Sequence, residues 1–400
     1  MKRLEGRRVL TLLRENVLAD ACFEDGVLTE LSLIPREAQS LLGNIYVGRV
    51  KNIAKNISAA FVEIEGGLLC YLPLEEVQNP IWACAKKGER LAEGDLLLVQ
   101  VSREAVKTKA PSVTANLNLT GKYLVLTSGN RRIGCSSRLE PKEKERLRTL
   151  AEGFAEDGVG WIVRTNAAEA SGETLLEEHD RLMEQYQNLK TRSIHAAACT
   201  CVLRSRPPYL DAILGSRDGV LQEILTDQAD IHEEIRRFLE EQMPEDLGKL
   251  RLYQDRMLPL KALCRLEKGL EDALREKVWL KSGAYLVIEP TEALTVIDVN
   301  TGKFTGGKKK DDTIRKINRE AAAEIARQLR LRNLSGIILV DFIDMAHPED
   351  SQALLEEMRR LLKRDPMKAA AVDMTALGLM ELTRKKKKKT LREQAKECGI

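Results

Sequence analysis

The chain has 400 residues, 43% apolar and 31% charged, with a formal net charge of +3 and only 4% aromatic residues. That length exceeds what one hydrophobic core serves, so several domains are expected, and the composition excludes a disordered or fibrous chain. No run approaches the roughly 18 apolar residues of a membrane helix, and no signal core follows Met1-Lys2-Arg3, so a cytoplasmic protein without a membrane span is expected.

The first stretch alternates as strands do, through Val9-Leu10-Thr11-Leu12-Leu13 and again through Val27-Leu28-Thr29-Glu30-Leu31-Ser32-Leu33. With Asp25-Gly26 as the turn between them, these runs predict an opening hairpin. Short strand-like runs then follow at 44–50, 59–64, 68–72 and 95–101, punctuated by glycines, which suggests a small barrel. From about residue 118 the texture is mixed, with strands at Tyr123-Leu124-Val125-Leu126 and Trp161-Ile162-Val163 and helical periodicity over 143–154 and 175–190. Residues 197–270 carry a strand at Val202-Leu203 and helical stretches near 230–241 and 263–274.

The last block predicts strands at 284–288, 294–299 and 336–341 around one long helix from about Thr313 to Arg332. Ile314, Ile317, Ala321, Ile325 and Leu329 recur at steps of three and four, Asp311-Asp312 stand where an N-cap belongs, and Asn333 and Gly336 follow. Strand, helix and strand make a βαβ unit.

Eight cysteines (22, 70, 84, 135, 199, 201, 264, 398) form no CxxC pair, so neither a disulfide framework nor a four-ligand zinc site is implied, and buried thiols are expected. A strand would point Cys199 and Cys201 to one face. The four histidines (179, 195, 232, 347) have no ligand-like or triad-like spacing. Two basic runs, 308–310 and 384–389, read as solvated helix ends unless other features point to nucleic acid.

The strongest chemical signal is a pair of apolar runs that end in carboxylates, Leu294-Thr295-Val296-Ile297-Asp298-Val299-Asn300 and Ile337-Ile338-Leu339-Val340-Asp341. A lone aspartate there would ordinarily cap a strand. If the two strands are parallel neighbours, however, Asp298 and Asp341 emerge together at the carboxyl edge of the sheet, where α/β sheets bind ligands. Such a pair suits Mg²⁺, which takes one or two carboxylates and completes its shell with water and phosphate oxygens. Phosphodiester cleavage is the matching chemistry. Asn300, two residues on and on the same face, can orient Asp298. Asp344 reads as the start of a turn.

Two further patterns are ambiguous. Phe61 and Tyr71 in neighbouring strands, near Arg49, Lys51 and Lys55, could stack splayed bases, although a core role for Phe61 is as good a reading. Arg164-Thr165 ends a strand and could hold a terminal phosphate or an ordinary strand-end ion pair.

Ser282-Gly283, Thr291-Glu292-Ala293-Leu294-Thr295, Ile297-Asp298-Val299-Asn300-Thr301-Gly302, Glu324-Ile325-Ala326-Arg327-Gln328-Leu329-Arg330-Leu331-Arg332-Asn333-Leu334 and Asp341-Phe342-Ile343-Asp344-Met345 resemble the catalytic domain of the ribonuclease E/G family. The likeness extends back through Val163-Arg164-Thr165, Gly121-Lys122-Tyr123-Leu124-Val125, Ala59-Ala60-Phe61-Val62 and Gly43-Asn44-Ile45-Tyr46. It implies a multidomain α/β fold: a split RNase H-like domain (1–36 and 197–270) around an inserted OB-type RNA-binding barrel (37–117) and a 5′ sensor (118–196). A deoxyribonuclease-I-like α/β catalytic domain (271–384) and a basic C-terminal tail (385–400) follow.

The resemblance also implies an endoribonuclease of RNA processing and decay that cuts single-stranded, A/U-rich RNA to 5′-phosphate and 3′-hydroxyl ends. In it Asp298 and Asp341 hold Mg²⁺ and Asn300 supports Asp298. Phe61, Tyr71, Lys109 and Lys368 contact RNA, and Gly121, Val125, Arg164 and Thr165 form a 5′-monophosphate pocket. Ser137 stands where a second arginine occurs in the family, and no CPxC element is present, so zinc is not expected. A homodimer is compatible with this, and the family's zinc-linked tetramer is not supported. The competing classes are a non-catalytic RNA-binding or ribosome-associated factor and a magnesium-dependent nuclease acting on DNA.

Overall fold

The structure is a computed structural model that describes residues 6–36, 40–84, 90–105, 110–154, 158–216, 220–302, 310–386 and 388–400. Contacts divide it into two compact units, residues 1–38 with 219–400 and residues 39–218.

The chain opens with a three-stranded antiparallel meander, β1 (Gly6–Arg14), β2 (Val17–Glu24) and β3 (Val27–Pro35). Asp25 and Gly26 both have positive φ (49° and 76°), the requirement of a two-residue type I′ turn. That turn joins β2 to β3, so the sequence expectation of a hairpin made from 9–13 and 27–33 skips a strand. β2 is built on Ala19, Asp20, Ala21 and Cys22, which carry little strand propensity. Tertiary context holds it: Ala19 and Ala21 are buried, and Asp20 accepts from Arg8 at 2.6 Å in a buried ion pair.

In the second unit, β4 (Ile45–Ala54), β5 (Ala59–Glu63), β6 (Leu69–Pro73), β7 (Leu96–Arg103) and β8 (Ser112–Thr114) close into a five-stranded barrel, because β4 pairs with both β5 and β7. A four-stranded sheet follows, from β9 (Asn118–Thr120), β10 (Leu124–Ser128), β11 (Ile133–Cys135) and β12 (Val159–Val163), with α1 (Pro141–Glu152) and α2 (Gly172–His195). Trp161, Phe154 and Leu182 lie in its core. β13 (Cys201–Leu203) pairs with β4, and α3 (Pro208–Leu214) follows in the same unit.

Cys199 lies outside β13 with φ of 63°, so no shared strand aligns it with Cys201. All eight thiols are free, but only Cys70 is buried and Cys84 is exposed, contrary to the expectation of buried thiols.

The first unit resumes with β14 (Leu221–Thr226), α4 (Ala229–Gln242) and β15 (Leu250–Leu252), two parallel strands that extend the opening meander in the order β15-β14-β1-β2-β3. After α5 (Leu260–Leu263) and α6 (Leu266–Leu274) comes the sheet that carries the chemistry. Its elements are β16 (Lys277–Trp279), β17 (Tyr285–Pro290), β18 (Leu294–Asn300), α7 (Lys310–Leu331), β19 (Gly336–Asp341), α8 (Pro348–Leu362), β20 (Ala369–Met374) and β21 (Leu379–Arg384). Strand order is β16-β17-β18-β19-β21-β20, and β18 and β19 run parallel, as the intervening helix requires.

One face of this sheet is covered. Ile297, Val299, Ile338, Val340, Met380 and Leu382 pack against Ile317, Ala321, Ile325 and Leu329 of α7 and against Leu354 and Met358 of α8. Among the described residues the opposite face has no such layer of core residues, and β18 alternates strictly between buried and half-buried positions along its length. The helix begins at Lys310, so Asp311 and Asp312 sit in its first turn instead of capping it, where their charge favours the helix dipole. At the other end Asn333 adopts φ of 49° and the Leu334 N–H donates to Leu329 O at 3.0 Å, the Schellman arrangement.

The expected basic tail is a helix, α9 (Leu391–Glu397). Thr390 and Glu393 form a capping box, and Leu391 and Ala395 are buried in a core shared with β3. Arg384, the first residue of the basic run, is 4% exposed: Nε donates to Asp365 Oδ2 at 2.7 Å and Nη1 to Asn333 Oδ1 at 2.7 Å. Removing one partner of a buried pair strands the other charge. Arg384→Met should therefore lower unfolding stability by about 3–5 kcal/mol, and Arg384→Met with Asp365→Leu should recover most of that. Urea unfolding checks this; a loss below about 1 kcal/mol in the single variant would contradict it.

Candidate active site

Strand register places Asp298 directly opposite Asp341, with Val296 opposite Leu339 and Leu294 opposite Ile337. Directly paired residues point to the same face and neighbouring strands lie about 4.8 Å apart, so both carboxylates leave the open face side by side at the carboxyl edge. Asn300, one step along that face, donates Nδ2–H to Asp298 Oδ2 at 2.7 Å. The three residues expected to act together are thus together. Desolvation at the strand tip raises the pKa of Asp341, and the negative charges of Asp298 and Asp344 raise it further. Among the described residues no lysine or arginine pairs with Asp298 or Asp341, so the edge is acidic.

Three supports of this edge escaped the sequence reading. Asn318 is fully buried in α7; its Nδ2 donates to Ile343 O at 2.8 Å and its Oδ1 accepts from Ile343 N at 3.2 Å. A side chain thus pairs with the backbone between Asp341 and Asp344 as a strand would. Glu320 Oε1, also from α7, accepts from Ser282 N at 3.2 Å in the turn before β17. Gly302 has φ of 60°, and a Cβ there would stand 2.4 Å from Gly283 O, so the loop after Asn300 reaches its place only with glycine. The available signal was a polar residue in an apolar helical stripe, Asn318 beside Ile317 and Ala321.

Lys368, expected to line an RNA path, precedes β20 and accepts a backbone bond from Lys385 N at 2.9 Å. It lines a shallow groove of about 410 Å³ with Gly336, Ala369, Ala370, Thr383, Arg384 and Lys385. Gly336 and Asp341 are the two ends of β19, so this groove lies roughly 17 Å from the carboxylates along the sheet. Lys368 is not brought to the acidic edge.

On the barrel, Phe61 and Tyr71 are direct cross-strand partners, both half-buried, with ring centroids 6.3 Å apart in an edge-to-face arrangement. Neither belongs to the barrel's buried core. Lys51 and Arg49 stand by Glu63 at 3.5 Å and 4.0 Å. Lys109 lies outside the described residues.

In the neighbouring sheet, an Arg164 guanidinium N–H donates to Gly121 O, and Arg164 N donates to Tyr123 O at 2.8 Å. The other guanidinium N–H groups have no protein partner among the described residues. Burial pushes the Arg164 pKa down, against the opposing pull of Glu178 and Asp211. Thr165 Oγ1 bonds Ser136 Oγ at 2.8 Å, and Val125 pairs with Ile162 inside the sheet.

The loop 121–124 is shaped by an internal anion. The Glu178 carboxylate accepts backbone N–H groups of Lys122 (2.6 Å), Tyr123 (2.8 Å) and Leu124 (2.6 Å). A Cβ at Gly121 would meet that carboxylate at 2.5 Å, which accounts for glycine there.

An acidic strand edge in one unit and an aromatic pair on a closed barrel in the other define an α/β protein of a recognisable class. The Ribonuclease E/G family model matches residues 118–387. Ribonuclease G of Escherichia coli is 34% identical over 391 residues, covering 93% of this chain and 78% of that protein. Ribonuclease G of Haemophilus influenzae is 33% identical over 383 residues, with 93% and 78% covered. Ribonuclease E of a Nostoc species is 34% identical over 383 residues, with 93% of this chain and 55% of that protein covered. The chain belongs to the ribonuclease E/G family.

Asn318→Ala removes both bonds to Ile343 and leaves that part-buried backbone unpaired, a loss of about 1–3 kcal/mol. Because the freed loop carries the end of β19, RNA cleavage should fall in kcat more than in KM. Steady-state kinetics beside thermal unfolding would measure both, and an unchanged kcat would contradict the positioning role.

Proposed function

We propose that this protein is an endoribonuclease that hydrolyses phosphodiester bonds within single-stranded RNA, with Asp298 and Asp341 holding Mg²⁺. The observation that carries this reading is the direct cross-strand pairing of the two aspartates, with Asn300 bonded to the first. Two carboxylates alone would repel a phosphate diester, so this edge serves phosphate chemistry only if a cation reverses its charge.

The donor set fits Mg²⁺. The ion accepts one or two carboxylates and leaves its other positions to water and phosphate oxygens. Among the described residues no three His, Cys, Asp or Glu side chains cluster as a closed cage would need. When bound, Mg²⁺ supplies Lewis acidity toward the phosphate and offsets charge on the leaving oxygen.

The protein's own groups do the rest. Asp298 and Asp341 fix where the reacting phosphate sits, and Asn300 keeps the Asp298 carboxylate from rotating. The Asn318 clamp holds the tip of β19 in place. On the same reading the closed barrel is an OB-type module where Phe61 and Tyr71 stack bases, since both rings lie outside the core and basic residues stand nearby. Arg164, with unpartnered donors, would take a 5′-monophosphate together with Thr165 and the backbone near Gly121 and Val125.

The family resemblance supplies the finer assignments: A/U-rich substrates, 5′-phosphate and 3′-hydroxyl products, the split RNase H-like arrangement with its inserted domains, and action in the cytoplasm. No helix among the described residues is long and apolar enough to cross a membrane.

The test is a 5′-labelled single-stranded RNA, with a matched DNA, incubated with Mg²⁺, with EDTA, and with Asp298→Asn. RNA should be cut only with Mg²⁺, and Asp298→Asn should slow cleavage on the order of 100-fold or more. Equal rates for parent and variant would overturn the assignment. Preferential DNA cutting would redirect it to a deoxyribonuclease, and binding without cleavage to a non-catalytic RNA-binding factor.

A further inference from the structure

The open face of the catalytic sheet carries a second arrangement beside the aspartates. Lys277 pairs with Val287, which pairs with Asp298; Trp279 pairs with Tyr285, which pairs with Asn300. Because direct partners share a face, Lys277, Trp279 and Tyr285 project on the same side as Asp298 and Asn300. Tyr285 lies one strand from Asn300, and Trp279 lies two strands away, about 10 Å.

Trp279 is 62% exposed, whereas Trp161 is fully buried and Trp82 half-buried. Its ring centroid is 5.2 Å from that of Tyr285, with the planes 57° apart, so the two rings form an open wedge. The Lys277 ammonium sits over both rings, 3.5 Å from the Tyr285 centroid and 4.3 Å from that of Trp279. Lys277 is itself exposed and has no carboxylate partner among the described residues.

We propose that Lys277, Trp279 and Tyr285 form a stacking platform for a base of single-stranded RNA that flanks the scissile phosphate. This rests on Asp298 and Asp341 being the cleaving centre. An exposed tryptophan on a sheet face gains from a flat π-system, and a base supplies one whatever its sequence. The ammonium occupies the ring faces that the base takes. Its exposed, flexible stem lets it move to a backbone phosphate when the base stacks, exchanging a cation–π contact for a charge pair. A protein partner would want an uninterrupted apolar patch, which the lysine in the middle of the wedge breaks. A polyanion carrying flat rings fits both the charge and the shape.

The test measures binding of a labelled single-stranded oligoribonucleotide to the full chain in EDTA, and cleavage of the same RNA in Mg²⁺. Trp279→Ala should weaken binding roughly 5- to 150-fold, the range of one stacked base, and Trp279→Phe should restore most of it. A single abasic site stepped along the RNA should reproduce that loss at one position next to the cleavage site, and combining it with Trp279→Ala should cost no more than either alone. Lys277→Gln, which leaves the rings in place, should reduce the slope of log affinity against log salt by about 0.7.

Binding and cleavage by Trp279→Ala equal to the parent's would overturn the platform even while Asp298→Asn is inactive. Cleavage by Asp298→Asn at the parent's rate would instead overturn the cleaving centre, whatever the binding data show. Unchanged RNA binding with an altered molecular mass in solution would mark the wedge as a protein contact and also overturn the proposal.

Discussion

The register between β18 and β19 is the constraint on which the acidic edge depends. A strand alternates its side chains with a period of two, so a slip of one residue would send Asp298 into the core and Ile297 into solvent. Burying Ile297, Val299, Ile338 and Val340 under α7 and α8 makes that slip costly, about 1.5–3 kcal/mol for each large apolar side chain driven into water. The hydrophobic core thereby fixes the position of two like charges that have no reason of their own to be neighbours. Desolvation, with the charges of Asp298 and Asp344, raises the pKa of the Asp341 carboxyl that packing holds there.

The rest of the first unit reinforces that arrangement. Asn318 and Glu320 reach from α7 to the two loops beside the acidic edge, so the helix that buries the sheet also sets the tips of its strands. At the far end, Arg384 ties β21 to Asp365 and to the Asn333 cap of the same helix. Arg330 leaves α7 on another side to pair with Glu24 at 2.5 Å and Glu30 at 2.8 Å; burial pushes its pKa down, but the hydrogen bonds and charges of the two carboxylates outweigh that and raise it overall. One helix thus links the opening meander, the strand that carries Asp341, and the loop beyond it.

Much of this was legible in the sequence where one period dominates. The apolar runs ending in Asp298 and Asp341, the stripe from Ile314 to Leu329, and the Asn333 stop each follow from a local rule, and the aspartates, Asn300 and the helix lie where those rules put them. Features set by tertiary contact were not legible. β2 has weak propensity and exists through its neighbours, and Asn318 looks like a flaw in an apolar stripe until Ile343 is seen opposite it. The basic run hid a buried structural arginine, since only the fold brings Asp365 and Asn333 to Arg384. Lys368 lies far from the acidic edge because β20 and β21 fold back antiparallel, and no local pattern records that reversal. Trp279 sits in a strand of three residues, too short for alternation to announce.

The account stands on two aspartates acting as one cation site. Electron paramagnetic resonance of Mn²⁺ with the RNA-free protein measures this directly, because bound and free ions are counted without any reliance on activity. One Mn²⁺ per chain is expected at this edge, lost equally in Asp298→Asn and Asp341→Asn. Undiminished Mn²⁺ binding in both variants would contradict it.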